Sequence, residues 1–111
     1  MPFARHLMSR LSLLAVLAAG LGSSAAFAAD PNLARNLAAT CANCHGTDGH
    51  AQPGAMDVLA GQDKGVLLQK LNGFRDGSRP ATIMHQIAKG YTPEQLDLIT
   101  TYLAAQKREG K

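Results

Sequence analysis

Cys41-Ala42-Asn43-Cys44-His45 constrains this chain more than any other stretch. Two thiols three residues apart face the same side of one helical turn, and the next residue is an imidazole. This is the spacing that attaches a c-type haem. Each thiol adds to a vinyl group to form a thioether, and the adjacent histidine reaches the iron as the proximal ligand.

Three other uses of the pair compete. A thioredoxin-like redox pair needs a preceding strand and a βαβ pattern, and the sequence has neither. Zinc could draw on Cys41, Cys44, His45 and His50, but adjacent Cys44 and His45 fit tetrahedral placement poorly and there is no second cysteine pair. A Cys41–Cys44 disulfide closes a loop too small to stabilise much. One haem c, held through Cys41 and Cys44, is the expected cofactor.

Residues 1–28 read as a secretory signal peptide. Arg5 and Arg10 give the positive start, Leu11 to Leu21 the apolar centre, and Ala26-Phe27-Ala28 a small-x-small cleavage site. The apolar run falls well short of the roughly 20 residues that span a bilayer. The expectation is a periplasmic mature chain, residues 29–111, forming a single domain with no membrane span. The net charge of +3 owes much to Arg5 and Arg10. Without them the charge is nearly balanced, which gives no reason to expect a nucleic-acid partner.

Beyond residue 28 the large rings are Phe74, Tyr91 and Tyr102, and there is no Trp. So few large apolar side chains make a marginal core for a domain of this size. A buried macrocycle would supply the missing apolar volume.

The periodicity is helical throughout, with no strand pattern. Asp30 suits an N-cap and Pro31 the first helical position. Leu33, Leu37 and Cys41 then form a stripe leading to the haem motif, and Gly46 and Gly49 break the helix. Residues 46–54 read as a loop beneath the ring on the His45 side, where a backbone carbonyl, expected from Pro53 or Gly54, takes the imidazole Nδ1–H. His50 is expected to be solvent-exposed and Met56 to be ordinary packing.

A second helix is expected over 63–74, with Val66, Leu67, Lys70, Leu71 and Phe74 on one face. Leu67, Leu71 and Phe74 are expected to wall the haem, with Gly73 and Gly77 closing the helix. Met84 follows a turn at 77–80 and can return over the opposite face of the ring. Its thioether is a soft ligand that raises the reduction potential. Methionines are more often core filler. His85, giving bis-His ligation, and an open iron position are the competing readings. The last helix opens at Thr92 with Pro93 at its first position and Gln95 completing a capping box. Tyr91 is placed to staple Leu96, and Leu96, Ile99, Tyr102 and Leu103 form the buried face.

Four stretches carry a family resemblance: Cys41 to Gly49, Leu59-Ala60-Gly61-Gln62, Phe74-Arg75-Asp76-Gly77 and Thr82 to Thr92. Through them the chain beyond residue 28 resembles a class I cytochrome c. Within that class it is most similar to cytochrome c4-like domains and to the cytochrome subunit of flavocytochrome c sulfide dehydrogenase. The resemblance implies an all-α fold of about three main helices wrapped around one covalently attached haem. The first and last helices would cross, bringing Leu37 near Tyr102 or Leu103. It places the family's ligand methionine on Met84 and makes His45 and Met84 the iron ligands. It implies an electron-transfer protein rather than an enzyme, accepting electrons from a flavoprotein sulfide dehydrogenase. A free shuttle serving other periplasmic redox enzymes is the alternative, and a ligand-binding haem enzyme or sensor a third. Lys64, Arg75, Arg79 and Lys89 are the cations available for docking. Two departures stand out. Those families commonly carry two haem domains where this chain has one motif, and Pro53-Gly54 stands where Gly-Pro is usual.

Overall fold

A computed structural model of the protein describes residues 29–108, and every regular element among them is helical. The proposed signal peptide, residues 1–28, lies outside the described residues. No helix among the described residues is long and apolar enough to cross a membrane.

Helical structure runs almost unbroken from Leu33 to His45. It comprises α1 (Leu33–Ala38), a 3-10 turn (Ala39–Cys41) and α2 (Ala42–His45). Asp30 acts just ahead of α1. Its carboxylate accepts from the Asn32 N–H at 2.8 Å and its carbonyl from the Leu33 N–H at 3.0 Å. These bonds form a turn over Pro31 and Asn32, so the helix opens at Leu33 instead of Pro31. Gly46 ends the run at φ 79°. A Cβ there would collide with the carbonyl of His50, so the chain can double back beneath the motif only with glycine at this point.

After a 3-10 turn (Thr47–Gly49), the chain crosses to α3 (Lys64–Asp76). The Asp63 carboxylate caps α3 by accepting from the Val66 N–H at 3.0 Å. Gly73 does not close this helix; it is buried within it, and α3 ends at Gly77. The absence of a side chain at Gly73 lets the following turn fold back, and the Arg79 N–H donates to its carbonyl at 2.9 Å. Val66, at the shoulder of the apolar face, is 44 % exposed rather than part of the wall.

Met84 opens a short helix, α4 (Met84–Lys89), and α5 (Pro93–Ala104) completes the fold. The capping box is present as expected. Thr92 Oγ1 accepts from the Gln95 N–H at 3.2 Å and Gln95 Oε1 from the Thr92 N–H at 2.9 Å.

The buried cluster joins Ala38 of α1, Leu67 of α3 and Leu96, Ile99 and Leu103 of α5, with Leu37, Tyr91 and Tyr102 packed against it. Helix α1 packs on α5, and α3 on both α4 and α5. Leu37 thus meets the cluster that contains Leu103, as the resemblance implied. Thr100 is fully buried, but its hydroxyl donates to the Leu96 carbonyl at 2.9 Å and so carries no unmet bond into the core.

Candidate functional site

These helices leave a cleft of about 430 Å³ between them. That lies within the roughly 300–1,000 Å³ typical of small-molecule sites. Cys41, Cys44 and His45 line it from the first helical run, and Leu67, Leu71 and Phe74 from α3. Met84 lines it from the first residue of α4, and Ile99 and Leu103 from α5. All four residues singled out by sequence, Cys41, Cys44, His45 and Met84, therefore share one mostly apolar space. His85 is not among the lining residues; its Nδ1 is buried without a hydrogen-bond partner among the described residues.

The imidazole of His45 is held by backbone. Its Nδ1 lies 2.7 Å from the Asp57 carbonyl oxygen. A carbonyl can only accept, so Nδ1 carries the proton and Nε2 keeps its lone pair, the arrangement of a metal-ligating histidine. The acceptor is Asp57 instead of Pro53 or Gly54. Residues 52–55 close a turn of their own, in which the Ala55 N–H donates to the Gln52 carbonyl at 3.1 Å, and all four are exposed. The chain comes back to His45 only after that turn.

The same geometry explains Met56. It is 57 % exposed and lines the cleft, so it is not ordinary packing. Residues 57–60 approach the motif through their backbone: the Asp57 carbonyl serves His45, while Leu59 and Ala60 donate to the Gly49 carbonyl at 2.9 and 3.1 Å. The preceding side chain is left at the rim.

The two thiols are unbridged. Cys41 is partly buried, and this burial pushes its thiol pKa up, offset in part by a backbone hydrogen bond. Cys44 is exposed. His50 is half-buried, contrary to the expectation of exposure. Its Nδ1 faces the Thr47 carbonyl at 3.1 Å and its Nε2 the Lys107 carbonyl at 2.7 Å. With both ring nitrogens engaged there, it does not join the cysteines. No group of three or more His, Cys, Asp or Glu among the described residues could hold a metal ion, which leaves the zinc reading without a donor set.

Two features of the site had no clear sequence signal. The Arg79 guanidinium lies 5.3 Å from the centroid of Phe74 in the cleft wall. Tyr102, expected only as core, donates its hydroxyl to Asp48 Oδ1 at 2.6 Å. The donor set fits a c-type haem. Paired thiols, an imidazole with its free nitrogen fixed, an apolar wall and a thioether line the same space.

No family model matches the chain. Individual relatives do. Cytochrome c-553 of Nitratidesulfovibrio vulgaris is 33% identical over 104 residues, covering 90% of this chain and 97% of that one. The cytochrome subunit of sulfide dehydrogenase of Chlorobaculum tepidum is 39% identical over 66 residues, covering 60% of this chain and 59% of that one. Other relatives are longer still, and the chain spans 28% and 50% of the length of two of them. Among solved structures, cytochrome c4 of Acidithiobacillus ferrooxidans superposes with a TM-score of 0.58 at 34% identity, covering 66% of this chain and 49% of that one. The match to a cytochrome over nearly its whole length and the helical likeness to cytochrome c4 agree with the donor set in the cleft. The chain belongs to the c-type cytochromes, which are electron-transfer proteins, and has their class I fold.

Proposed function

We propose that this chain is a periplasmic electron carrier with a single haem c, held covalently by Cys41 and Cys44 and ligated through its iron by His45 and Met84. The observation that carries this reading is the sharing of one cleft by those four side chains while His85 lies outside it. Bound haem supplies an iron that gains and loses one electron. The Asp57 carbonyl holds the His45 ring so that Nε2 is presented as the donor. Met84 presents a soft thioether that favours the reduced iron. Leu67, Leu71 and Phe74 give the cleft an apolar wall. If His45 and Met84 both held the iron, the chain would leave no position on it for a substrate, and the protein would hand on electrons without transforming one.

The donor in this reading is a flavoprotein sulfide dehydrogenase, supported by the likeness to the Chlorobaculum subunit. The reading of residues 1–28 as a signal peptide, which the mature domain 29–111 follows, supports the periplasmic location. The second reading is a free shuttle serving other periplasmic redox enzymes.

The test is the visible spectrum of protein matured in a periplasm, oxidised and reduced, with and without carbon monoxide. Haem that stays with the denatured polypeptide, a far-red sulfur-to-iron band in the oxidised form and no response to carbon monoxide are the expected results. Ready binding of carbon monoxide overturns Met84 as a ligand. A flavoprotein that co-purifies with the tagged chain selects the subunit over the shuttle.

A further inference from the structure

The His50 ring lies between two backbone carbonyls. Its Nδ1 is 3.1 Å from the Thr47 oxygen, within its own turn, and its Nε2 is 2.7 Å from the Lys107 oxygen, 57 positions further along the chain. A carbonyl oxygen can only accept. A neutral imidazole carries one N–H, so it bonds one of these oxygens and turns a lone pair toward the other. The imidazolium, with an N–H on each nitrogen, bonds both. The arrangement therefore selects the charged ring, and hydrogen bonds made in full by the charged form alone hold that form to higher pH.

The bond to Lys107 closes a strap. Past α5 the chain lies on Gly61, whose N–H donates to the Leu103 carbonyl at 2.9 Å. A Cβ on Gly61 would come within 2.9 Å of both the Gln106 oxygen and Arg108 Cγ, so residues 105–108 pass directly over it. Beneath this strap, Leu59 and Ala60 bond the Gly49 carbonyl of the His50 turn. The charged groups around the ring come from both elements. Asp48, on the turn, shares a surface recess with His50, and its Oδ1 accepts from the Tyr102 hydroxyl. Ala42, Gly46 and Gln52 line the same recess without charge. Lys107 and Arg108, on the strap, oppose a cationic ring, and Glu109 lies just beyond the described residues. We propose that His50 is a pH-sensitive clasp: doubly protonated it ties the C-terminal strap to the turn after the Cys41–His45 motif, and loss of one proton breaks that two-point link. The clasp holds its proton more tightly in the folded chain than in the unfolded one. Its contribution is thus complete below the ordinary histidine value of about 6.5 and is lost as pH rises through the higher folded value. Neither carbonyl nor the ring belongs to the proposed iron ligands, so the clasp stands apart from the haem reading.

The experiment is a pH titration of the mature holoprotein by proton–nitrogen NMR, following the His50 ring nitrogens and the Gly61, Gln106 and Lys107 backbone amides. It compares the wild type with His50→Gln, Asp48→Asn and Glu109→Gln. In the wild type both ring nitrogens are expected to stay protonated to about one pH unit above the ordinary value, a tenfold tighter hold on the proton. The three amides shift with the same midpoint. His50→Gln abolishes their shift. In Asp48→Asn and Glu109→Gln the ring still titrates above the ordinary value. A wild-type ring that loses its second proton at or below that value overturns the proposal. So do amides that still shift in His50→Gln. Return of the ring to the ordinary value in either carboxylate variant also overturns it, because a carboxylate and not the carbonyl pair would then hold the proton. If His50→Gln does not mature, the wild type decides alone: a ring and amides that titrate with different midpoints overturn the clasp.

Discussion

Tyr102 Oη donates to Asp48 Oδ1 at 2.6 Å, joining the last helix to the turn that follows the cysteine motif. Asp48 is the one described non-glycine residue with positive φ, at 54°. The bond thus secures a backbone conformation that L-residues disfavour. It also pushes the Tyr102 pKa up, with burial and the Asp48 charge adding to the effect and Arg35 opposing it.

Tyr102→Phe is expected to lower stability by about 1–2 kcal/mol at neutral pH, measured by chemical denaturation of the holoprotein. The folded-state pKa is raised, so the contribution is complete below the ordinary tyrosine value of 10.0 and is lost as pH rises through the folded value. The gap between wild type and Tyr102→Phe therefore stays constant at neutral pH and narrows in alkali. A gap that stays constant through the tyrosine titration would assign the loss to packing instead.

Met84→Leu keeps the side-chain volume, so little apolar packing is lost beyond the proposed ligand bond. Its expected signature is spectroscopic. The far-red band disappears and the reduced protein binds carbon monoxide. His85→Ala is expected to leave both properties as in the wild type, because His85 does not line the cleft.

Gly46→Ala and Gly54→Ala separate backbone conformation from collision. Both positions have positive φ, 79° and 78°. A Cβ at Gly54 meets nothing within 4 Å, whereas one at Gly46 runs into the backbone of His50. Gly54→Ala is expected to cost about 1–2 kcal/mol, from conformation alone. Gly46→Ala is expected to cost more than about 4 kcal/mol and to abolish recovery of soluble holoprotein. Equal melting temperatures for the two variants would contradict this.

Thr92→Ala removes half of the capping box and is expected to cost about 1 kcal/mol in thermal or chemical unfolding. Its oxidised and reduced spectra should match those of the wild type, because the cap stands apart from the cleft.

What was legible in the sequence had local causes. The Thr92 box and the stripe through Leu67 and Leu71 depend on neighbours within one or two turns, and both appear as read. The motif from Cys41 to His45 was readable because its chemistry requires those residue types at that spacing. The acceptor for His45 was not, because every residue carries a carbonyl and only the path of the loop decides that Asp57 supplies it. Met56 was misread for the same reason, since its exposure follows from a backbone approach that leaves no side-chain pattern. Gly73 looked like a helix end but serves as the seat for Arg79, a long-range fit that composition does not reveal. Tyr102 showed the right spacing for a core residue, and nothing local announced that its hydroxyl reaches Asp48.

The packing of α1 on α5 also sets an order of events in biosynthesis. The first described helix, which leads into both cysteines, packs on the last described helix. Pairings between distant parts of a chain are slow to form because the intervening loop must first be closed. Throughout elongation, then, the nascent N-terminal segment has no native surface to settle on, and its thiols remain open to attachment chemistry. The fold closes over that segment only after α5 has emerged, so a chain truncated before Leu96 would keep its motif and lose the means to enclose it.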